Sequence, residues 1–453
     1  FGLVVLTAAD FPEWPQPGAS PTEAEDMAAR VAAYLLNPCE RFHDRVGTEL
    51  LVTNVALGEA RPFGNLGAKS PEDRHNFVRR VNVHLGDLAS AGVHLVDVSE
   101  LAARHGTRRA LDRRAWFESK QPVAMELVPD VVRNLADMIA ASCGLARKCI
   151  VLDLDNTLWG GVVGDVGVGG IELGEGTARG EAFKSFQIYL RTLRERGVLL
   201  AVCSKNEAEN AAAPFDSHPE TVLGLADFAA FHASWDPKSD RIAAIARELD
   251  LGLDALVFVD DNPAEREQVR QALPDVAVIE LPEDPAGYSD AVEISGWFEA
   301  TQLTDEDRSR ADQYRSRAAA RTLEETMDLG DFLASLDMHA TVGPVDERSI
   351  ERATQLLNKT NQFNLATRRY GLHEMEARVA DPNVVTRVIR LRDRFGDHGL
   401  ISLATASVDG ETATVEDWLM SCRVLKREVE FVMMNELVSA VSARGARTLT
   451  ATF

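Results

Sequence analysis

Apolar residues fall along this chain in short blocks separated by amphipathic stretches, the pattern of strands alternating with helices. Leu50–Leu57 predicts a buried strand, Arg74–Leu88 a helix, Val93–Val98 the next strand and Val128–Ser142 a long helix. A second unit opens at Lys148 with Cys149-Ile150-Val151-Leu152-Asp153-Leu154-Asp155, and Val198–Cys203 and Ala255–Val259 continue it, with helices between. Such alternation predicts parallel sheets. The stretch Phe298–Asp307 turns charged and helical, and Arg308–Arg321 is polar all round, which predicts a connector helix rather than a core one. From Asp337 a different unit begins: a short strand, a helix over Glu351–Asn358, then strands near Val385–Leu391 and Leu400–Val408. The predicted segments are therefore 1–145, 146–297, 298–336 and 337–453. There is no internal repeat and no low-complexity stretch.

Composition narrows the function. A chain of 453 residues, 45% apolar and 26% charged, has the make-up of a globular protein, and its length allows two or three domains. Its 48 basic residues against 71 acidic ones give a net charge of −23, which speaks against nucleic acid or an anionic membrane as the main partner. Five cysteines (Cys39, Cys143, Cys149, Cys203, Cys422) form no CxxC pair. That scatter predicts a reducing cytoplasm, not a disulfide framework or a zinc knuckle. No apolar run approaches the roughly 20 residues that span a bilayer. The first residue is Phe1 rather than Met, as expected of a chain cut from a longer one, so a missing signal peptide says little about location.

The chemistry concentrates at strand ends. Asp153-Leu154-Asp155-Asn156-Thr157 follows an apolar strand directly, and ligands bind at the carboxyl ends of strands in open parallel sheets. There Asp153 can attack phosphorus to form an aspartyl-phosphate, while Asp155 can protonate the leaving oxygen and later activate water. A carboxylate attacks an anionic phosphate only when a cation cancels the repulsion, which calls for Mg²⁺. By itself DxDxT also fits a turn with two surface acids. Three further stations in order exclude that reading. Ser204 in Cys203-Ser204-Lys205-Asn206 can hold phosphate oxygens, with Lys205 and Asn206 beside it. Lys238 in Trp235-Asp236-Pro237-Lys238 supplies a point charge for the transition state. Asp260 and Asp261 in Phe258-Val259-Asp260-Asp261-Asn262-Pro263 end another strand, and either can complete a metal shell with Asp153 and Asp155. The intervals 153–204 and 204–238 leave no room for a large independent cap, which points to a bulky partner or a neighbouring domain over the site.

This order of stations resembles the haloacid dehalogenase superfamily, and the wording is closer still to FkbH-like proteins, of its subfamily IIIC. The matching stretches include Leu152–Asp165, Gly180-Glu181-Ala182-Phe183, Phe258–Glu267, Leu303-Thr304-Asp305-Glu306-Asp307, Asn358–Asn364, Asp393-Arg394-Phe395-Gly396-Asp397 and Ser421-Cys422-Arg423-Val424. The resemblance runs from about Trp116 to the C-terminus. It implies a haloacid dehalogenase core without a large cap, between an N-terminal remnant of the SGNH-hydrolase type, without catalysis of its own, and a C-terminal α+β acyltransferase unit of the GNAT type. It also implies an activity. These proteins take the three-carbon unit of 1,3-bisphosphoglycerate, remove phosphate and load a glyceryl group onto the phosphopantetheine arm of an acyl carrier protein, for polyketide biosynthesis.

The Asp153 machinery suits the C3 ester of that substrate, and a thiol suits the C1 acyl phosphate. Cys422, near Arg423, Lys426 and Arg427, has the cationic setting that lowers a thiol pKa. Cys203 comes second, because its side chain should alternate away from the phosphate pocket. The family wording further implicates Asn361, Gln362 and Arg394 in holding the glyceryl or phosphate oxygens. The stretch Arg423–Glu430 lacks the glycine of a pyrophosphate-cradling loop, which counts against acetyl-CoA. The chain stops at Phe453, before such a domain is expected to be complete. Two rivals remain at this stage: a plain Mg²⁺-dependent phosphatase or phosphotransferase acting on another small ester, and an assembly module whose phosphatase site has decayed.

Overall fold

The computed structural model describes residues 1–58, 61–90, 92–303, 328–359, 363–365, 368–421, 424–425 and 427–451. The predicted connector helix over Arg308–Arg321 lies outside the described residues. Two compact units emerge. One comprises Phe1–Ile139, Asp346–Thr354 and Arg369–Pro382, and the other comprises Ala140–Val345, Gln355–Arg368 and Asn383–Phe453. Two short stretches of the segment predicted as 337–453 thus group with the N-terminal unit.

The N-terminal unit is built on a parallel sheet of β1 (Gly2–Val4), β2 (Leu50–Thr53) and β3 (Val93–Val96), in that order. A 26-residue helix, Pro21–Val46, precedes β2. Its N-terminus is fixed by a capping box between Ser20 and Glu23, and Gly47 closes it in the left-handed conformation at φ +72°. Val31, Leu35 and Leu36 of that helix pack with Phe77, Val81 and Leu85 of the helix Arg74–Leu88. Strand β2 ends four residues earlier than the apolar run predicts. Past Thr53 the backbone turns to side chains for its hydrogen bonds: Val55 donates to Asn82 Oδ1 at 3.0 Å and accepts from Asn82 Nδ2 at 2.9 Å.

The other unit holds a five-stranded, all-parallel sheet of β4 (Cys149–Leu152), β5 (Leu199–Ser204), β6 (Phe228–Ala233), β7 (Leu256–Asp260) and β8 (Ala277–Glu280). The spatial order is β6-β5-β4-β7-β8. Every residue of β4, β5 and β7 is buried, because helices cover both faces of the sheet. Alternation divides the strands between two cores. Ile150, Leu152, Val202 and Val259 pack with Phe183 and Phe186 of the helix Ala178–Glu195. Cys149, Val151, Cys203 and Phe258 pack with Ile242 and Ile245 of the helix Lys238–Leu249. The chain steps outward from β4 to β6, then returns to place β7 on the other flank of β4. The gap between β4 and β7 is the topological switch point, where such sheets bind ligands.

Beyond it lies a second sheet, built from β9 (His339–Gly343), β10 (Phe363–Asn364), β11 (Val384–Asp393), β12 (Gly396–Asp409), β13 (Thr412–Met420) and β14 (Thr448–Ala451). Its order is β10-β13-β12-β11-β9, antiparallel throughout, with β14 joining β13 in parallel. The helix Val429–Ser442 makes the crossover from β13 to β14, and its Met433 and Leu437 pack with Ile389 and Ile401 of the sheet. One parallel pair in an otherwise antiparallel sheet agrees with the α+β acyltransferase-like unit the sequence predicts. Among the described residues, no helix is long and apolar enough to cross a membrane.

Candidate active site

The carboxyl ends of β4 and β7 bring Asp153, Asp260 and Asp261 together. One carboxylate oxygen from each lies within 4.8 Å of the others. Asp153 is 7% exposed and Asp260 fully buried. The ammonium of Lys238, from the first turn of the helix Lys238–Leu249, sits 2.5 Å from Asp260 Oδ2 and 3.1 Å from Asp153 Oδ1. Despite that approach, Asp153 Oδ1 has no well-directed hydrogen bond. Three carboxylates facing one ammonium leave two negative charges uncompensated, an arrangement that is costly in a buried place. A divalent cation with hard oxygen ligands matches the deficit in both charge and donor type.

Titration follows from this crowding. Burial, reinforced by the Asp153 charge and opposed by Lys238, pushes the Asp260 carboxyl up to about 7. Burial likewise raises Asp261, with Asp153 adding to the effect. For Lys238, burial alone would lower the ammonium, but Asp153 and Asp260 outweigh it and hold the lysine charged.

The loop after β7 is held from both sides. Arg266 Nη1 donates to the carbonyls of Asp260 and Asp261 at 2.7 and 2.8 Å, and its Nη2 lies 3.0 Å from Glu280. The Asp261 amide donates to Thr157 Oγ1 at 3.3 Å, and the Asn262 amide to Asp260 Oδ1 at 2.8 Å. The loop after β4 is equally fixed. Asn156 stands in the left-handed region at φ +57°, a conformation asparagine tolerates better than most residues. Its carbonyl accepts from Tyr288 Oη at 3.0 Å, and its Oδ1 accepts from the Gly161 amide at 2.9 Å.

Asp155 departs from the expected metal set. Its carboxylate lies outside the acidic group and turns toward the segment that follows it. Oδ1 accepts from Trp159 Nε1 at 2.9 Å and from the Val163 amide at 3.0 Å, while Oδ2 accepts from Asn206 Nδ2 at 2.9 Å. Burial holds the Asp155 carboxyl above the usual range, although Val163 and Trp159 pull the other way. The physical reason for the departure is that three N–H donors, from Trp159, Asn206 and the Val163 amide, already hold the Asp155 carboxylate oxygens.

The remaining expected residues divide. Ser204 is buried at the end of β5, where its carbonyl accepts from the Ser234 amide at 3.1 Å. Lys205, expected on phosphate, pairs with Glu265 at 2.5 Å, and Asn206, expected there too, donates one Nδ2 hydrogen to Asp155. Cys203 faces the opposite core from the site, and burial pushes its thiol up to about 12, which removes it as a ready nucleophile. Arg394 stands exposed at the β11–β12 turn, with its guanidinium over Phe395 and its Nη1 donating to the Ser335 carbonyl at 3.4 Å. Cys422, Asn361 and Gln362 lie outside the described residues, as do Arg423 and Lys426.

Sequence reasoning assigned no role to Arg266, Trp159 or Gln187. Gln187, fully buried, donates to the Leu158 carbonyl at 2.9 Å and accepts from the Val222 and Leu223 amides at 3.0 and 3.2 Å. A lone glutamine on an otherwise apolar helix face was the available signal. In the C-terminal sheet, the buried Asp393 accepts from His398 Nε2 at 2.8 Å and from Arg427, tying the segment after β13 to the β11–β12 turn. Burial alone would raise the Asp393 carboxyl, but His398, the Phe395 amide and Arg427 together hold it below the usual range.

Comparison with known proteins agrees with this geometry. Residues 20–140 match the family described as FkbH, N-terminal domain. The N-terminal part of the protein BF1531 from Bacteroides fragilis, containing a phosphatase domain and complexed with Mg, is 34% identical. That match covers 62% of this chain and 75% of that one, with a TM-score of 0.58. An uncharacterised protein from Corynebacterium glutamicum is 17% identical over 35% of this chain and 98% of its own, at a TM-score of 0.24. The ribosomal-protein-S18-alanine N-acetyltransferase of Escherichia coli is 12% identical over 24% and 64%, at 0.20. No protein of curated function matches the chain.

Proposed function

The chain belongs to the FkbH-like family of the haloacid dehalogenase superfamily, and on that premise we propose that it loads a glyceryl unit from 1,3-bisphosphoglycerate onto an acyl carrier protein with removal of phosphate. The observation that carries the phosphoryl half is the group of buried Asp153 and Asp260 with half-buried Asp261, Lys238 lying between the first two carboxylates. Those three aspartates would hold Mg²⁺, which offsets the negative charge of the site and of the substrate phosphate. The Mg bound by the Bacteroides fragilis relative supports that choice.

An Asp153 oxygen attacks phosphorus as the ester bond breaks, and Asp155 gives its proton to the departing C3 oxygen. Lys238 neutralises charge that grows on the phosphoryl oxygens. Water then attacks the aspartyl-phosphate, Asp155 takes the proton back, and inorganic phosphate leaves. At C1 the mixed anhydride is already activated. A thiolate attacks the acyl carbon, the C–O bond to phosphate breaks, and a thioester forms. Cys422 is the proposed enzyme thiol, handing the acyl group to the phosphopantetheine thiol of the carrier. Cys203 is too buried and too weakly acidic for that task. Free cysteines among the described residues suit a reducing, cytoplasmic setting.

The test is intact-protein mass spectrometry after incubation with 1,3-bisphosphoglycerate, Mg²⁺ and a panel of holo acyl carrier proteins. A glyceryl-sized increment on one carrier is expected, absent in Cys422→Ala. Free phosphate with no adduct on carrier or enzyme would leave a phosphatase alone and sink the transfer half.

A further inference from the structure

We propose that Trp159 and Asn206, together with the Val163 amide, are positioning residues for Asp155, fixing which of its lone pairs meets the leaving oxygen. This rests on the phosphoryl-transfer half of the reading above and adds the part that aims its proton.

A carboxylate offers about four acceptor positions. On Asp155, Oδ1 spends both of its own on Trp159 Nε1 and the Val163 amide, and Oδ2 spends one on Asn206 Nδ2. One position remains, and it is on Oδ2. The proton that Asp155 exchanges therefore sits on Oδ2, where Asn206 sets the direction of the O–H bond. The three donors come from separate places. Trp159 and Val163 belong to the segment after β4, and Asn206 to the loop after β5. A buried indole needs some partner for its N–H, and any carbonyl would serve that need. Convergence of an indole, an amide side chain and a backbone amide on one carboxylate is a stronger demand.

The clamp also explains why Asp155 stays out of the acidic group. Asp153 stands only two residues before it, and Lys238 lies against Asp153. An unrestrained Asp155 would compete for that ammonium or for a bound cation and would cease to face the leaving group. The donors themselves are well anchored. Trp159 is fully buried with its ring edge-on to Phe215, the Gly160 amide and carbonyl bridge to Glu172, and Gln187 holds the Leu158 carbonyl. Asn206, at 5% exposure, gives one of its two Nδ2 hydrogens to Asp155.

The discriminating measurement is leaving-group dependence. An alkyl ester such as glycerol 3-phosphate needs protonation of its departing oxygen, whereas p-nitrophenyl phosphate departs as a stable anion. With Mg²⁺ and enzyme in excess, single-turnover alcohol release times ester cleavage alone. Trp159→Phe, which keeps a ring and removes the donor, and Asn206→Ala should each slow the alkyl ester about tenfold, a fraction of what general acids contribute. The aryl ester should slow several-fold less, with half-saturation unchanged for both. If Trp159→Phe fails to fold by circular dichroism, Asn206→Ala decides alone. Equal slowing of both esters would overturn the assignment. So would a raised half-saturation with intact cleavage, which would return Asn206 to the phosphate. Absence of any Mg²⁺-dependent turnover in the unaltered protein would remove the phosphatase reading, and this inference with it.

Discussion

Two parallel sheets in this chain end their strands in opposite ways. At the carboxyl ends of β2 and β3, Asn54 Nδ2 donates to Asp97 Oδ1 at 2.7 Å, and Asp97 also caps the helix Val98–His105 through the Glu100 amide at 2.9 Å. The Ser99 amide in turn reaches Asn54 Oδ1 at 2.9 Å. Asn54 and Asp97 are hydrogen-bonded to each other and to nearby amides, and Asp97 is exposed to water. At the ends of β4 and β7, three acids crowd one lysine, and Asp260 is fully buried. The same architecture thus stores compensated charge in one sheet and uncompensated charge in the other. The uncompensated end is where a cation and a phosphate have something to gain by binding.

The sharpest way to break this contrast is to remove the nucleophile. Asp153→Asn should lower phosphate release from any ester by at least about 10⁴-fold, the scale on which loss of a nucleophile acts, while carrier acylation at C1 persists as a phosphoglyceryl adduct. Loss of both steps in intact-mass spectra would end the two-site division.

Lys238→Met comes next. It leaves the three acids without their counter-charge, and turnover should fall by about 10²–10³-fold, as when a transition-state donor is lost. The metal-free protein should also melt lower, since orphaning a buried charge is costly, and Mg²⁺ should raise its Tm more than that of the unaltered chain. An equal Mg²⁺ effect in both proteins would show that Lys238 and the cation do not share one charge deficit.

The third effect is smaller and depends on pH. With its folded pKa near 7, metal-free Asp260 keeps a proton that an unfolded carboxyl gives up near about 4. The associated stability is complete below that lower value and is lost as pH rises through about 7. Chelator-treated protein should therefore lose a few degrees of Tm between about pH 5 and pH 8 relative to the Mg²⁺-loaded form. The gain from Mg²⁺ should accordingly be greater at the higher pH. A gain that shrinks with rising pH would contradict the crowding described for Asp260.

The mildest change tests the compensated end. Asp97→Ala removes a helix cap and the partner of Asn54, and should cost about 1 kcal/mol in urea unfolding. Mg²⁺-dependent phosphatase turnover should not change. A large loss of turnover would show that the N-terminal sheet takes part in the chemistry after all.

Legibility of the fold tracked burial. β4, β5 and β7 are apolar through most of their length and end in the motifs that named the site, so the sequence located them to within a few residues. β8, Ala277–Glu280, is short and ends in an acid, and β6, Phe228–Ala233, carries a histidine; neither stood out. The helix Pro21–Val46 contains Pro38, a residue that argues against a helix interior. At the site, types and order were readable because the reaction demands carboxylates and a lysine at strand ends. Orientation was not. Nothing in the spacing of Asp153 and Asp155 says that one faces a cation and the other an indole, since that depends on how the segment Trp159–Glu172 folds back. Arg266 hid in a charged helix for the same reason, since its role depends on the carbonyls it meets.

That arginine has a thermodynamic consequence. Because Arg266 and Thr157 pin the Asp260–Asp261 loop through its backbone, the loop is ordered when the sheet forms and not when the ion arrives. Cation binding should therefore show a small heat-capacity change in calorimetry, with entropy gained from water released by the ion. Replacing Arg266 by methionine should turn the same event into coupled ordering, with a more favourable enthalpy, a larger entropic cost and weaker affinity.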